Sequence, residues 1–294
     1  FLTGVTKFAQ VSVFSDLNQL NDISMKSPYA ALCGITKEEL VKTFLPELER
    51  LAKRRGISLQ EVIDLMERQY DGYHFHPEGV GMFNPFSVLN AFDAEEMGYY
   101  WFQTGTPTYL VDLLKQSDYD IRLLIDGVEV LASAFSEYRA ETNNPLPMIY
   151  QSGYLTIKGY DDDVKLYTLG FPNDEVRYGF LNFLVPFYTK VTDDETGFHI
   201  AKFMRELKSG DVEAFMERLK IFFSGIPYEL SDDTERHYQV IFHVVFTLLG
   251  QFIRSEVRSS RGRADAVVHT PTAIYVFEFK LDGTADAALK QIDE

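Results

Sequence analysis

The sequence predicts a mixed chain of α/β class, α+β overall, with helices dominating its first half and strands arriving in short groups. Three observations carry this. Helix-start signatures recur before residue 110, two apolar runs flank an acidic turn between Met148 and Leu169, and a β-branched and aromatic run from Ile274 to Phe279 follows the apolar stretch Val240 to Leu249. Four segments are expected: 1–34 as the end of a larger core, 35–145 as a helical lid-like subdomain, 146–222 as a β-hairpin plus helices, and 223–294 as an α/β domain.

Taken in order, Phe1 to Phe8 reads as a strand and a loop, so the chain is expected to begin inside a domain. Thr36 with Glu39 forms a capping box that starts a helix reaching about Arg54, and Ser58 with Glu61 starts another after Gly56. Asn84-Pro85 and Thr106-Pro107 each set a capping residue before a proline at the first helical position, which predicts two further helices. Between Met148 and Leu169 the apolar runs around Gly159-Tyr160-Asp161-Asp162-Asp163 predict a β-hairpin. The acidic triplet lacks the spacing of a calcium loop and reads as a solvated turn. A helix after Asn173 carries Phe180, Phe183, Leu184 and Phe187, and two more cover about Gly197 to Phe223.

Composition narrows the function classes. A net charge of −16 argues against a broad nucleic-acid-binding surface, because affinity for phosphate backbones comes largely from lysine and arginine. Any such contact must be local, and Arg254, Arg258, Arg261 and Arg263 form a local cluster. The same arginines also fit a solvated helix end. Cys33 stands alone, so no internal disulfide forms, which suits a cytoplasmic location. No stretch has the form of a signal peptide or a membrane span, and Val240 to Leu249 reads as a buried helix. His74 and His76 share a face if extended but have no third ligand at a suggestive spacing. Tyr70 to Tyr73 reads either as a helix-ending turn or as the lining of a nucleotide or partner pocket.

The strongest chemical signal lies near the end. In a strand from Ile274, Glu278 and Lys280 emerge on one face and Phe279 on the other. Asp265 precedes Val267 and Val268, and the loop containing Pro271 is expected to fold that segment back beside the second strand, so that Asp265, Glu278 and Lys280 converge. Two carboxylates are the hard oxygen ligands that Mg²⁺ takes, and a lysine can stabilise charge that develops on phosphoryl oxygens. The same residues also fit a surface ion pair beside a turn carboxylate.

Gly262-Arg263-Ala264-Asp265, the run Ile274 to Lys280, Ala287-Ala288-Leu289-Lys290-Gln291-Ile292 and the upstream Glu256 together resemble the PD-(D/E)XK nuclease superfamily. Ala264 stands where its name has proline. The resemblance implies metal ligation by Asp265, Glu278 and Glu256 and catalytic roles for Lys280 and Gln291. It implies Mg²⁺ or Mn²⁺ as cofactor and nucleic acid, DNA foremost, as substrate. Arg258, Arg261 and Arg263 would contact it. A second resemblance covers nearly the whole chain through Tyr70-Asp71-Gly72-Tyr73, Asn84-Pro85-Phe86-Ser87, Trp101 to Pro107 and Phe171 to Val176. These are similar to a bacterial family of AAA-like ATPases fused to such nuclease domains. No G-x-x-x-x-G-K-[ST] loop occurs here, so residues 1–34 would be the remnant of the ATPase core. ATP would then bind only to a longer protein, and this chain is expected not to hydrolyse it. The alternative is an inactive nuclease fold serving as a binding or regulatory module. The last helix is expected to be incomplete, since the sequence stops just after Gln291.

Overall fold

The computed structural model describes residues 21–104, 108–117, 119–136, 144–189, 193–224, 234–250, 266–270 and 272–277, together with positions 286 and 290. Helices and small antiparallel sheets alternate along it, and the chain divides into two compact units, Phe1–Gly179 and Phe180–Glu294.

Unit 1 opens with β1 (Ile35–Thr36), α1 (Lys37–Thr43), α2 (Leu45–Arg55) and α3 (Leu59–Tyr70). Both expected capping boxes form. The Thr36 and Ser58 side chains accept from the backbone N–H groups of Glu39 and Glu61, whose carboxylates reach back to the cap residues. The single helix expected from Thr36 to Arg54 is two, however. Pro46 has no N–H to give and crowds the carbonyl a turn before it, so the chain breaks at Phe44 and restarts with proline in the first turn. Gly56 closes α2 in the left-handed region at φ +67.

Next come β2 (Met82–Phe83), antiparallel to β1, and α4 (Pro85–Ala94), capped by Asn84 as its sequence predicts. Leu40, Leu48, Leu51, Val62, Met66, Tyr70, Phe83 and Val88 meet in one buried cluster, because each falls on the apolar stripe of its own helix or strand. The Thr106-Pro107 helix start lies outside the described residues, and α5 (Thr108–Gln116) follows it.

The hairpin expected between Met148 and Leu169 is shorter and belongs to a larger sheet. Its first apolar run is the helix α7 (Leu146–Gln151), after α6 (Ile121–Asp126) and β3 (Val128–Val130). The hairpin itself is β4 (Thr156–Asp161) and β5 (Leu166–Gly170), and β3 pairs with the far side of β5 to give the order β3-β5-β4. Short apolar runs do not distinguish strand from helix by period alone, and the pairing with β3 comes from some 40 positions earlier. The acidic turn closes on itself: Asp161 Oδ1 accepts the N–H groups of Asp163 and Val164 at 2.9 and 3.3 Å.

The helix α8 (Asp174–Tyr188) follows Asn173 as expected. Unit 2 then contains α9 (Asp193–Ser209), α10 (Val212–Ser224), α11 (Thr234–Gly250), β6 (Ala266–His269) and β7 (Ile274–Phe277). Its core is aromatic. Phe215 stands 5.2 Å from Phe203, 6.3 Å from Phe246 and 5.4 Å from Phe277 between ring centroids, and Phe246 stands 4.9 Å from Phe277, mostly edge to face. Val240 to Leu249 is buried on every side of α11, as its sequence predicts. Among the described residues no helix is long and apolar enough to cross a membrane.

Because Phe246 contacts rings from α10 and β7 together, Phe246→Ala should cost roughly 3–5 kcal/mol of the stability of unit 2. The urea midpoint of the transition reported by hydrogen exchange at α11 amides checks this.

Candidate functional site

In the hairpin β6–β7, Ala266 lies opposite Phe277, Val267 opposite Val276, Val268 opposite Tyr275 and His269 opposite Ile274. Thr270 closes the turn: its N–H donates to the Ala273 carbonyl at 2.8 Å and its Oγ1 accepts from the Ala273 N–H at 3.0 Å. These bonds and the pairing set β6 beside β7, as the sequence predicts. Val268 and Phe277 are buried, whereas Ile274 and Val276 are exposed on the other face. Tyr275 Oη donates to the Leu207 carbonyl at 2.9 Å and ties the hairpin to α9. Asp265, Glu278, Lys280, Glu256 and Gln291, and the arginines 254, 258, 261 and 263, lie outside the described residues. The structure describes the two paired strands whose ends Asp265 and Glu278 adjoin.

In unit 1 Glu175 joins its own motif to those of Ser87 and Trp101, and its neighbour Asn173 ties in that of Tyr70 to Tyr73. Glu175 is fully buried. It accepts from Ser87 Oγ at 2.6 Å and from the N–H groups of Tyr100 and Trp101 at 2.7 and 3.1 Å. Burial pushes its carboxyl above the usual range, and these three donors hold it back. Beside it Asn173 caps α8 by accepting from the Val176 N–H, and its amide donates to the Asp71 carbonyl at 2.9 Å. Tyr70-Asp71-Gly72-Tyr73 is therefore both a helix-ending turn and part of a site.

That turn borders a cleft of about 430 Å³, lined by Arg68, Asp71, Gly72, Lys158, Gly170 and Arg177 among others. Gly72 adopts φ +96, and a Cβ there would overlap the Pro172 carbonyl oxygen, so only glycine allows the two loops to meet this closely. In the β4–β5 ladder Ile157 faces Leu169 and Gly159 faces Thr168, which leaves Lys158 as the extra residue of a bulge. Its ammonium donates to the Pro172 carbonyl at 2.8 Å, and desolvation holds its pKa below the usual lysine range. Asp71 is pushed up by burial, and its Oδ1 has no hydrogen-bond partner among the described residues. Arg68 pairs with Asp174 at 3.3 Å.

The imidazoles of His74 and His76 are used locally: His74 Nδ1 is 3.0 Å from the Gly72 carbonyl, and His76 Nδ1 accepts from the Glu78 N–H at 3.1 Å. Sequence reasoning assigned no chemistry to Glu175 or Lys158. An acid in the first turn of a helix looks like an ordinary dipole partner, and a bulge leaves no local signature.

A family model described as PD-(D/E)XK nuclease superfamily matches residues 233–294, the segment that holds α11 and the β6–β7 hairpin. The C-terminal part of this mixed α/β chain thus carries a domain of that superfamily. Along its whole length the chain is similar to a protein of Azotobacter chroococcum mcd 1 known as an uncharacterized protein in the vnfD 5′ region. The two are 33% identical over 312 residues, which take in 100% of this chain and 56% of the relative. The chain therefore spans just over half the length of that relative. No solved structure matches it.

Glu175→Ala strips the shared acceptor from one buried and one part-buried backbone N–H group and should cost about 3 kcal/mol. Glu175→Gln keeps an acceptor and should cost less. The raised carboxyl binds its proton more tightly folded than unfolded, so its favourable contribution is present below about pH 4.3 and is lost as pH rises through the folded pKa. Wild type should lose stability relative to Glu175→Gln over that rise, as urea titrations at a series of pH values would record.

Proposed function

We propose that residues 233–294 are a metal-dependent nuclease domain that hydrolyses phosphodiester bonds of nucleic acid, DNA foremost. It would act in the cytoplasm under the control of an AAA-like ATPase core. The register of the β6–β7 hairpin is the observation that carries this reading. Opposed Cα atoms in an antiparallel pair sit about 4.5–5.5 Å apart. If the ladder continues by one step, Asp265 and Glu278 face each other on the side of Val267 and Val276, away from the buried Phe277. Two carboxylates directly opposed repel unless a cation lies between them.

That donor set of hard oxygens fits Mg²⁺ or Mn²⁺, with Glu256 as a third ligand. Such an ion supplies an activated water and offsets phosphoryl charge. Continued alternation would keep Lys280 on the face of Glu278, where its ammonium stabilises negative charge building on the scissile phosphate. Gln291 would orient substrate beside it, and Arg258, Arg261 and Arg263 would hold the backbone in a chain otherwise too acidic to attract it. Coupling to an ATPase rests on the resemblance of the Tyr70, Asn84, Trp101 and Phe171 motifs.

Incubation with end-labelled DNA and RNA panels should give cleavage that needs Mg²⁺ or Mn²⁺ and stops with chelator. Lys280→Ala should lower the rate by roughly 10²-fold or more while Mn²⁺ binding persists in calorimetry. Asp265→Asn should remove both. Unchanged cleavage in Lys280→Ala would put the active residues elsewhere, and metal binding without cleavage of any substrate would favour a binding module.

A further inference from the structure

The cleft of unit 1 lies outside the segment matched by the nuclease family and rests on independent observations. Two cations line it without a close ion pair among the described residues, although Asp71 attracts Lys158 and Asp174 attracts Arg177 from farther off, and Glu67 and Asp126 also line the cleft. Lys158 gives one N–H to the Pro172 carbonyl and has two left, and Arg177 Nε–H is closed off from solvent with no acceptor. Other cations nearby are answered: Arg68 by Asp174, and Lys37 by Glu67 at 2.6 Å. A desolvated cation is costly unless an anion or several acceptors meet it.

Lys158 is in this position by construction. The bulge turns it out of the ladder, and Gly170 makes room for its stem, since a Cβ there would come within 3.2 Å of Lys158 Cγ. Asp71 contributes the opposite need at one oxygen: its carboxylate takes the Gly72 N–H, but Oδ1 accepts no hydrogen bond among the described residues. Its carboxyl lies over Gly81, where a Cβ would come within 3.1 Å of both oxygens. A bare anion would satisfy the cations and be opposed by Asp71 and by the other acids of the lining, Glu67, Asp126 and Asp174. A ligand carrying both an anion and a hydroxyl satisfies all three, and about 430 Å³ suits a small molecule.

We propose that this cleft binds a phosphorylated sugar, either free or as the 5′ end of a nucleic-acid strand, with Lys158 and Arg177 on the phosphate and Asp71 on a sugar hydroxyl. Charged donors of both kinds recognise phosphate, and a carboxylate accepting from sugar hydroxyls is a common partner for them.

Calorimetric titration of ribose 5-phosphate into the intact chain tests it, with a 5′-phosphorylated trinucleotide in parallel to tell a strand end from a free sugar phosphate. Lys158→Met and Arg177→Met should each weaken binding of whichever probe binds by at least about tenfold. Asp71→Asn should weaken ribose 5-phosphate more than inorganic phosphate. Thermal unfolding of each variant separates lost contacts from lost folding. If Lys158→Met does not fold, Arg177→Met carries the test. Failure of both probes to bind wild type at millimolar concentration overturns the proposal, as does binding that neither Met substitution changes. Inorganic phosphate binding as tightly as ribose 5-phosphate would overturn the hydroxyl contact.

Discussion

The buried carboxylate of Glu175 is the constraint on which unit 1 depends. It has no ion-pair partner among the described residues, and hydrogen bonds from Ser87, Tyr100 and Trp101 answer it, with the positive end of α8 behind it. The donors come from two stretches of chain, Ser87 and the adjacent pair Tyr100 and Trp101, 74 to 88 residues away. Such a group must be satisfied or it destabilises the fold. It therefore fixes the start of α4 and the turn after Tyr99 against the first turn of α8. Tyr70 reinforces the same corner, because its hydroxyl both donates to the Gly98 carbonyl and accepts the Gly98 N–H, each at 2.9 Å.

Once that corner is set, the loop before α8 has little freedom. Asn173 grips the Asp71 carbonyl, Lys158 grips the Pro172 carbonyl, and Gly72 lets the two backbones touch. The cleft is the space these contacts leave open. Its mixture of donor and acceptor groups follows from loops held by their backbones, which leaves Asp71 Oδ1 and Arg177 Nε without hydrogen bonds among the described residues.

Unit 2 is organised differently. Its coherence comes from interlocked rings, Phe203, Phe215, Phe246 and Phe277, contributed by α9, α10, α11 and β7. Phe277 is the junction between that core and the region read as a nuclease site, since it is buried in the cluster and adjoins Glu278 in sequence. Packing of one ring thus sets which face of β7 is inward. The part-buried pair of Arg218 and Glu206, 2.6 Å apart, binds α10 to α9.

What the sequence determined by itself is whatever depends on neighbours within a turn. The caps at Thr36, Ser58 and Asn84, the left-handed Gly56 and the turn through Thr270 use partners two to four residues away, so their residue types announce them. Asp265, Glu278 and Lys280 were legible as a pattern for the same reason, and the antiparallel hairpin between the first two follows from its short loop. The break at Phe44 was also local, yet the strong Thr36 capping box concealed it. Only the tertiary structure decided that the run from Met148 is a helix, that β3 completes the sheet, and that Glu175, Asp71 and Lys158 belong to one corner. Those outcomes turn on burial and on hydrogen bonds spanning up to about a hundred residues, and a carboxylate or lysine has the same letter whether it faces water or a carbonyl from the other side of the fold.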